Sequence, residues 1–130
     1  MAKRSAKVLL VDDSGVMRAL LRSIISSYDF VVVGEAENGI KALEAVETLK
    51  PDLVCLDIEM PELSGLDTLL QLKSKHPGIG VVMVTASTVA TDVKKALTSG
   101  ADGYILKPFN AGKVIDTLNQ AFQKIQASPK

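Results

Sequence analysis

The stretch KVLLVDDSGVMRALL, Lys7 to Leu21, decides the fold. Four apolar residues, Val8 to Val11, run without polar alternation into two adjacent carboxylates, Asp12 and Asp13, and a helical pattern begins almost at once. An unbroken run of this kind reads as a strand buried on both faces, as strands inside a parallel sheet are. Ser14 stands where it can cap the helix that follows. The pair of like charges at the end of so apolar a strand is the puzzle that leads to function.

The same strand-turn-helix unit recurs along the chain. KVLLVD (7–12), FVVVGEA (30–36), DLVCLD (52–57), GVVMVTA (80–86) and GYILK (103–107) are short strand-like runs separated by longer amphipathic stretches. Val31–Val33, Leu53–Leu56 and Val81–Val84 lack polar alternation just as Val8–Val11 does, which predicts strands covered on both sides. Ile40, Leu43 and Val46 repeat at threes, and Val114, Leu118, Phe122 and Ile125 form one apolar helical face. Ser64, with Asp67 three residues on, gives a capping-box-like start to the third helix. Pro51 and Pro77-Gly78 follow helices two and three, and Gly100 stands where the fourth should end. Strict alternation argues an α/β fold, (βα)5, with a parallel sheet and helices on both faces. Residues 1–6 read as an N-terminal tail, 7–126 as one domain and 127–130 as a C-terminal tail.

Composition narrows the function. The 130 residues suit a single domain with a real core. Fifteen basic residues balance fifteen acidic ones, so no basic field exists to hold nucleic acid. The lone Cys55, set among Leu53, Val54 and Leu56, excludes an internal disulfide and reads as a small core residue. Met17, Met60 and Met83 read as core filler, and His76, in KHPG, as exposed at a helix end. The apolar run behind the basic start MAKRSAK is too short for a signal peptide, and no segment is long enough to insert in a membrane. A cytoplasmic location is the expectation.

In an open α/β sheet, ligands bind beyond the carboxyl ends of the strands. Strand one ends there with Asp12 and Asp13, strand three with Asp57, strand four with Thr85 and strand five with Lys107-Pro108. Three carboxylates on one rim repel unless a cation joins them. Oxygen ligands in this number, with no His or free Cys beside them, suit Mg²⁺, which shares its sites with phosphate. Asp57 is then a candidate nucleophile toward a phosphoryl group. Thr85 and Lys107 are candidates to steady the phosphoryl oxygens. Taken singly, each has a duller reading: a turn former, a strand residue, a solvated charge.

With Asp12-Asp13, Asp57-Ile58-Glu59-Met60-Pro61, Thr85-Ala86 and Lys107-Pro108-Phe109 in that order, the chain resembles the response-regulator receiver domain. Among receivers it is most similar to the stand-alone, chemotaxis-regulator-like kind, and the similarity spans about Lys7 to Gln126. The resemblance implies a flavodoxin-like sheet in the order 2-1-3-4-5. It implies Asp57 as the phosphoacceptor, modified to 4-aspartylphosphate, with Thr85 and Lys107 contacting the phosphoryl group. It further implies Mg²⁺ held by Asp13 directly, by Asp12 through water, by Asp57 and by the backbone carbonyl of Glu59. Lys107-Pro108 would be a cis peptide, and Thr85 and Tyr104 a switch pair. The phosphodonor would be a histidine kinase or a phosphotransfer protein. Helix four, strand five and helix five would be read by a downstream protein through Lys94, Lys95, Tyr104 and Lys113. The domain would not be an enzyme beyond its own phosphorylation and dephosphorylation. Glu59 departs from the Asn of the typical chemotaxis regulator, which bears on phosphate lifetime.

Other readings stay open at this point. A haloacid-dehalogenase-type phosphatase uses a similar Asp, Thr, Lys and acidic pair, but its nucleophile normally lies near the N-terminus in D-x-D-x-[TV]. A flavodoxin-like flavin binder would find its phosphate repelled by Asp12 and Asp13. A receiver that only stores phosphate, as a sink without a dedicated target, needs no output surface.

Overall fold

The computed structural model of the chain describes residues 5–127. Five strands and five helices alternate: β1 (Ala6–Val11), α1 (Gly15–Ser26), β2 (Phe30–Ala36), α2 (Gly39–Leu49), β3 (Leu53–Leu56), α3 (Gly65–Lys75), β4 (Gly80–Thr85), α4 (Ala90–Thr98), β5 (Gly103–Leu106) and α5 (Ala111–Ala127). All strand pairs are parallel, in the order β2-β1-β3-β4-β5. Each parallel pairing needs a crossover, and the helices supply it.

Successive side chains of a strand point to opposite faces, so the sheet splits the core in two. Val8 and Leu10 of β1 join Cys55, Val84 and Ile105 beneath α1 and α5, with Leu21, Ile25, Val114, Leu118 and Phe122 closing that layer. Leu9 and Val11 join Val54, Val81 and Met83 on the other side, under Ala42 and Val46 of α2, Leu69 and Leu72 of α3, and Ala96 of α4. Because both faces of β1 are apolar, burial alone does not set its register. In the observed register, bonds close both ends of the β1–β3 pair, one of them to the Asp52 side chain. Lys7 N donates to Asp52 Oδ2 at 2.8 Å, Asp52 N to the Lys7 carbonyl at 2.8 Å, and Asp57 N to the Val11 carbonyl at 3.1 Å. Those ties bring Asp12 and Asp57 to the same rim.

Helix ends follow the expected caps. Ser14 Oγ accepts from Met17 N, and Ser64 Oγ accepts from Asp67 N while donating to the Asp67 carboxylate. Gly100 follows the end of α4, and Lys50 closes α2 in the left-handed region, just ahead of Pro51.

Four expectations need correction. The run Val31–Val33 is not covered on both faces: β2 is an edge strand, and Val31 is 48% exposed. The inward face of α2 is Gly39, Ala42 and Val46, while Ile40 faces solvent. His76 is half-buried, its Nε2 2.7 Å from Glu47 Oε2. Ala6, assigned to the tail, is the first residue of β1 and is buried, and Ala127 is the last residue of α5. The rest of both tails, apart from Ser5, lies outside the described residues. Among the described residues no helix is long and apolar enough to cross a membrane.

Candidate functional site

Asp12, Asp13 and Asp57 come together at the carboxyl ends of β1 and β3, each offering an oxygen within 4.8 Å of the others. Asp12 is 1% exposed and Asp57 7%, whereas Asp13 faces solvent. Two buried carboxylates side by side would be costly without a counter-charge. Lys107 supplies one: its Nζ donates to Asp12 Oδ2 at 2.8 Å and to Asp57 Oδ2 at 3.1 Å. Burial by itself would pull this ammonium down, but the hydrogen bonds and charges of Asp12 and Asp57 together outweigh it and hold its pKa above the ordinary lysine range. Asp12 Oδ1 accepts from Ser14 N at 2.9 Å, so the turn into α1 also helps hold that side chain.

Asp57 is positioned by a close approach of backbone. A Cβ built on Gly65 would lie 1.9 Å from the Asp57 carbonyl oxygen, so a side chain at position 65 would displace the loop. Gly65 N also donates to the Ile58 carbonyl at 2.7 Å, which pins the start of α3 against the end of β3. Glu59 is exposed on the intervening loop.

Thr85, at the end of β4, is fully buried, and its Oγ1 accepts from Ser87 N at 3.3 Å. Tyr104 of β5 is half-buried against the α2–α4 side of the core, and its hydroxyl donates to the Ser87 carbonyl at 2.9 Å. Burial raises the Tyr104 pKa, so this phenol stays a donor through the neutral range. The Lys107-Pro108 peptide is cis, as the resemblance implied.

Of the residues assigned to the site from the sequence, Asp12, Asp13, Asp57 and Lys107 thus come together, Thr85 and Tyr104 meet through Ser87, and Glu59 lies on the loop just beyond Asp57. Two contributors escaped the sequence reading. Arg18 donates through Nη1 to the Asp12 carbonyl and through Nε to Glu35 Oε1 at 2.8 Å. Arg22 pairs with the other Glu35 oxygen at 2.8 Å, and the hydrogen bonds from Arg22 and Arg18 hold the Glu35 carboxyl below its ordinary range. Ser87 is the second, joining Thr85, Tyr104 and, through its hydroxyl, Asp92 at 2.8 Å. The helical spacing of Arg18 and Arg22 was visible in the sequence, but their shared partner on β2 was not.

The donor set fits a hard divalent cation: three clustered carboxylates facing one ammonium leave negative charge uncancelled, and all their ligand atoms are oxygens. With that geometry in hand, comparison with known families is decisive. Residues 8–119 match the family model of the response regulator receiver domain.

The chain belongs to that family.

It is a CheY-like receiver, a phosphoacceptor signalling module of the two-component kind. It is 43% identical over 115 residues to the chemotaxis protein CheY of Listeria monocytogenes, covering 88% of this chain and 97% of that one. Among solved structures, the response regulator domain of Thermotoga maritima CheB is 36% identical, with a TM-score of 0.84, covering 97% of this receiver and all of that chain. A CheY of Borrelia burgdorferi, solved in a complex with CheX, BeF3 and Mg²⁺, is 30% identical, with a TM-score of 0.86, covering 90% and 89% of the two chains.

Proposed function

We propose that this receiver takes a phosphoryl group onto Asp57 from a phosphohistidine of a histidine kinase or phosphotransfer protein. An Asp57 carboxylate oxygen attacks phosphorus, the P–N bond breaks, and the imidazole leaves. Hydrolysis later returns the carboxylate and releases inorganic phosphate and a proton. The observation that carries this reading is the cluster of Asp12, Asp13 and Asp57 with Lys107 bridging two of its members.

Asp13, Asp12, Asp57 and the Glu59 carbonyl would hold Mg²⁺. When bound, the ion supplies two positive charges against the phosphoryl oxygens. The chain's own residues do the rest. Lys107, already beside Asp57 Oδ2, turns to a phosphoryl oxygen, and the Thr85 hydroxyl leaves Ser87 N to donate to another. Each such charge-assisted contact is worth about 1.5–3 kcal/mol. Two of them approach the roughly 5.5 kcal/mol that swings a population from 1:99 to 99:1.

Ser87 links this event to the surface, since Thr85 and Tyr104 both bond to its backbone. The face formed by α4, β5 and α5 is the proposed read-out. Tyr104, Leu106, Pro108, Phe109, Asn110 and Lys113 line a groove there. Lys94 and Lys95 are exposed on α4, and Val89 and Leu97 expose apolar surface nearby. A protein partner with an apolar ridge flanked by carboxylates suits it. The domain turns over nothing but its own phosphoaspartate.

Incubation with acetyl phosphate and Mg²⁺ tests the reading. The intact mass should rise by about 80 Da, and Asp57→Asn should abolish the gain while the circular dichroism spectrum is unchanged. A gain in that variant would refute Asp57 as the acceptor.

A further inference from the structure

The loop from β3 to α3 carries the proposed acceptor at one end and Glu59 just beyond it. Its ends are tied by backbone bonds, Asp57 N to the Val11 carbonyl and Gly65 N to the Ile58 carbonyl. Its outer turn is reached from elsewhere, by Asn38 at the start of α2. This amide is 5% exposed and is divided between two tasks. Oδ1 accepts from Lys41 N at 2.8 Å and caps α2. Nδ2 donates to Glu62 Oε2 at 2.8 Å, across 24 positions of sequence.

Glu62 has φ 69°, in the left-handed region that crowds a Cβ against the backbone. Such a conformation persists where its surroundings hold it, and the Asn38 bond is a hold of that kind. The two loops also meet without spare room. A Cβ on Gly39 would lie 2.1 Å from Thr68 Oγ1 and 2.9 Å from the Leu63 carbonyl oxygen. Among the described residues, the Asn38 side chain bonds to Lys41 N and Glu62 rather than to Asp12, Asp13, Asp57 or Lys107.

We propose that Asn38 is a positioning residue: by clamping Glu62 it fixes the path of the β3–α3 loop, and with it the placement of the Asp57 carboxylate and the Glu59 carbonyl. The proposal rests on the reading of that rim as the metal and phosphoryl site, and it is tested so that the two can fail separately.

Asn38→Asp keeps an oxygen to cap α2 but replaces the donor to Glu62 with a second carboxylate. In metal-free protein, amide exchange across residues 59–63 should speed up about tenfold, the scale of one lost charge-assisted bond. Exchange in the middle of α2 should not change. Titration with MgCl2 alone should show affinity reduced on the order of tenfold, because the loosened loop no longer holds the Glu59 carbonyl and the Asp57 carboxylate in place. Glu62→Gln alone preserves the acceptor and should behave as the unmutated chain. Combining Asn38→Asp with Glu62→Gln reverses donor and acceptor and should restore both readouts.

Unchanged loop exchange in Asn38→Asp, equal loosening of α2 and loop, or a double variant as loose as the single one would each overturn the clamp. Failure of the unmutated chain to take up Mg²⁺ would bring down the reading of the acidic pocket, and loop exchange with its rescue would still decide the role of Asn38.

Discussion

Removing Lys107 tests the electrostatics of the site most directly. In Lys107→Ala the Asp12 and Asp57 carboxylates lose the ammonium now 2.8 and 3.1 Å away, and both remain buried. Breaking a buried pair by deleting one partner costs about 3–5 kcal/mol. The Lys107 side chain is 15% exposed, so water enters the vacated space readily and the lower end applies, about 3 kcal/mol. Mg²⁺ should reverse part of that loss. The carboxylates freed of their ammonium should bind the ion about tenfold more tightly, which is worth about 1.4 kcal/mol. Urea unfolding followed by circular dichroism at pH 7 measures both effects. In EDTA the variant should be about 3 kcal/mol less stable than the unmutated chain, and in saturating Mg²⁺ the gap should shrink to about 1.5 kcal/mol. An equal gap in both buffers, or none in EDTA, would refute the counter-ion role. The variant should still be phosphorylated, while partner affinity should respond less than in the unmutated chain.

Asp13→Ala should weaken Mg²⁺ binding more than Asp12→Ala, yet stability should rank the other way. Asp12 is buried on Lys107 and Ser14 N, so its loss should cost about 1–3 kcal/mol in metal-free protein, and exposed Asp13 less than about 0.5. Equal Mg²⁺ affinity of all three proteins would contradict a cation site at the end of β1. Gly65→Ala forces its Cβ toward the Asp57 carbonyl and should cost about 1–3 kcal/mol in denaturant unfolding while slowing phosphorylation by acetyl phosphate; an unchanged rate would show that the loop yields freely. Glu59→Asn should shorten the lifetime of the phosphorylated state, because the exposed carboxylate no longer screens the phosphoryl oxygens from water; slower decay after donor removal, in excess Mg²⁺, would show instead that Glu59 helps water attack.

Much of this was legible in the chain because the relevant signals are local. Apolar runs marked the five strands, caps or apolar periodicity marked α1, α2, α3 and α5, Gly100 alone marked the end of α4, and polar residues at strand ends marked the rim. The strand order came from the family resemblance, since nothing within β1 or β3 says which strand lies beside it. Val31–Val33 reads like Val8–Val11, yet one run lies at the edge and the other inside, because burial of a strand is decided by its neighbours. The same holds for His76 with Glu47, Arg18 and Arg22 with Glu35, and Asn38 with Glu62. Each is a pairing of residues 13 or more positions apart, fixed only when the fold brings two separate elements or loops together. Part of the negative charge at the rim is likewise met at long range, by Lys107, which pairs with Asp12 from 95 positions away.

Cys55 has a practical consequence. It lies in the middle strand, 1% exposed, and burial pushes its thiol up to about 12. At neutral pH it offers alkylating reagents neither access nor thiolate. The natural sequence is therefore a ready background for site-directed labelling: a single cysteine placed on α4 or α5 would carry a fluorophore or spin label while Cys55 stayed silent. Movement of the proposed read-out face could then be followed in real time on an otherwise unaltered receiver.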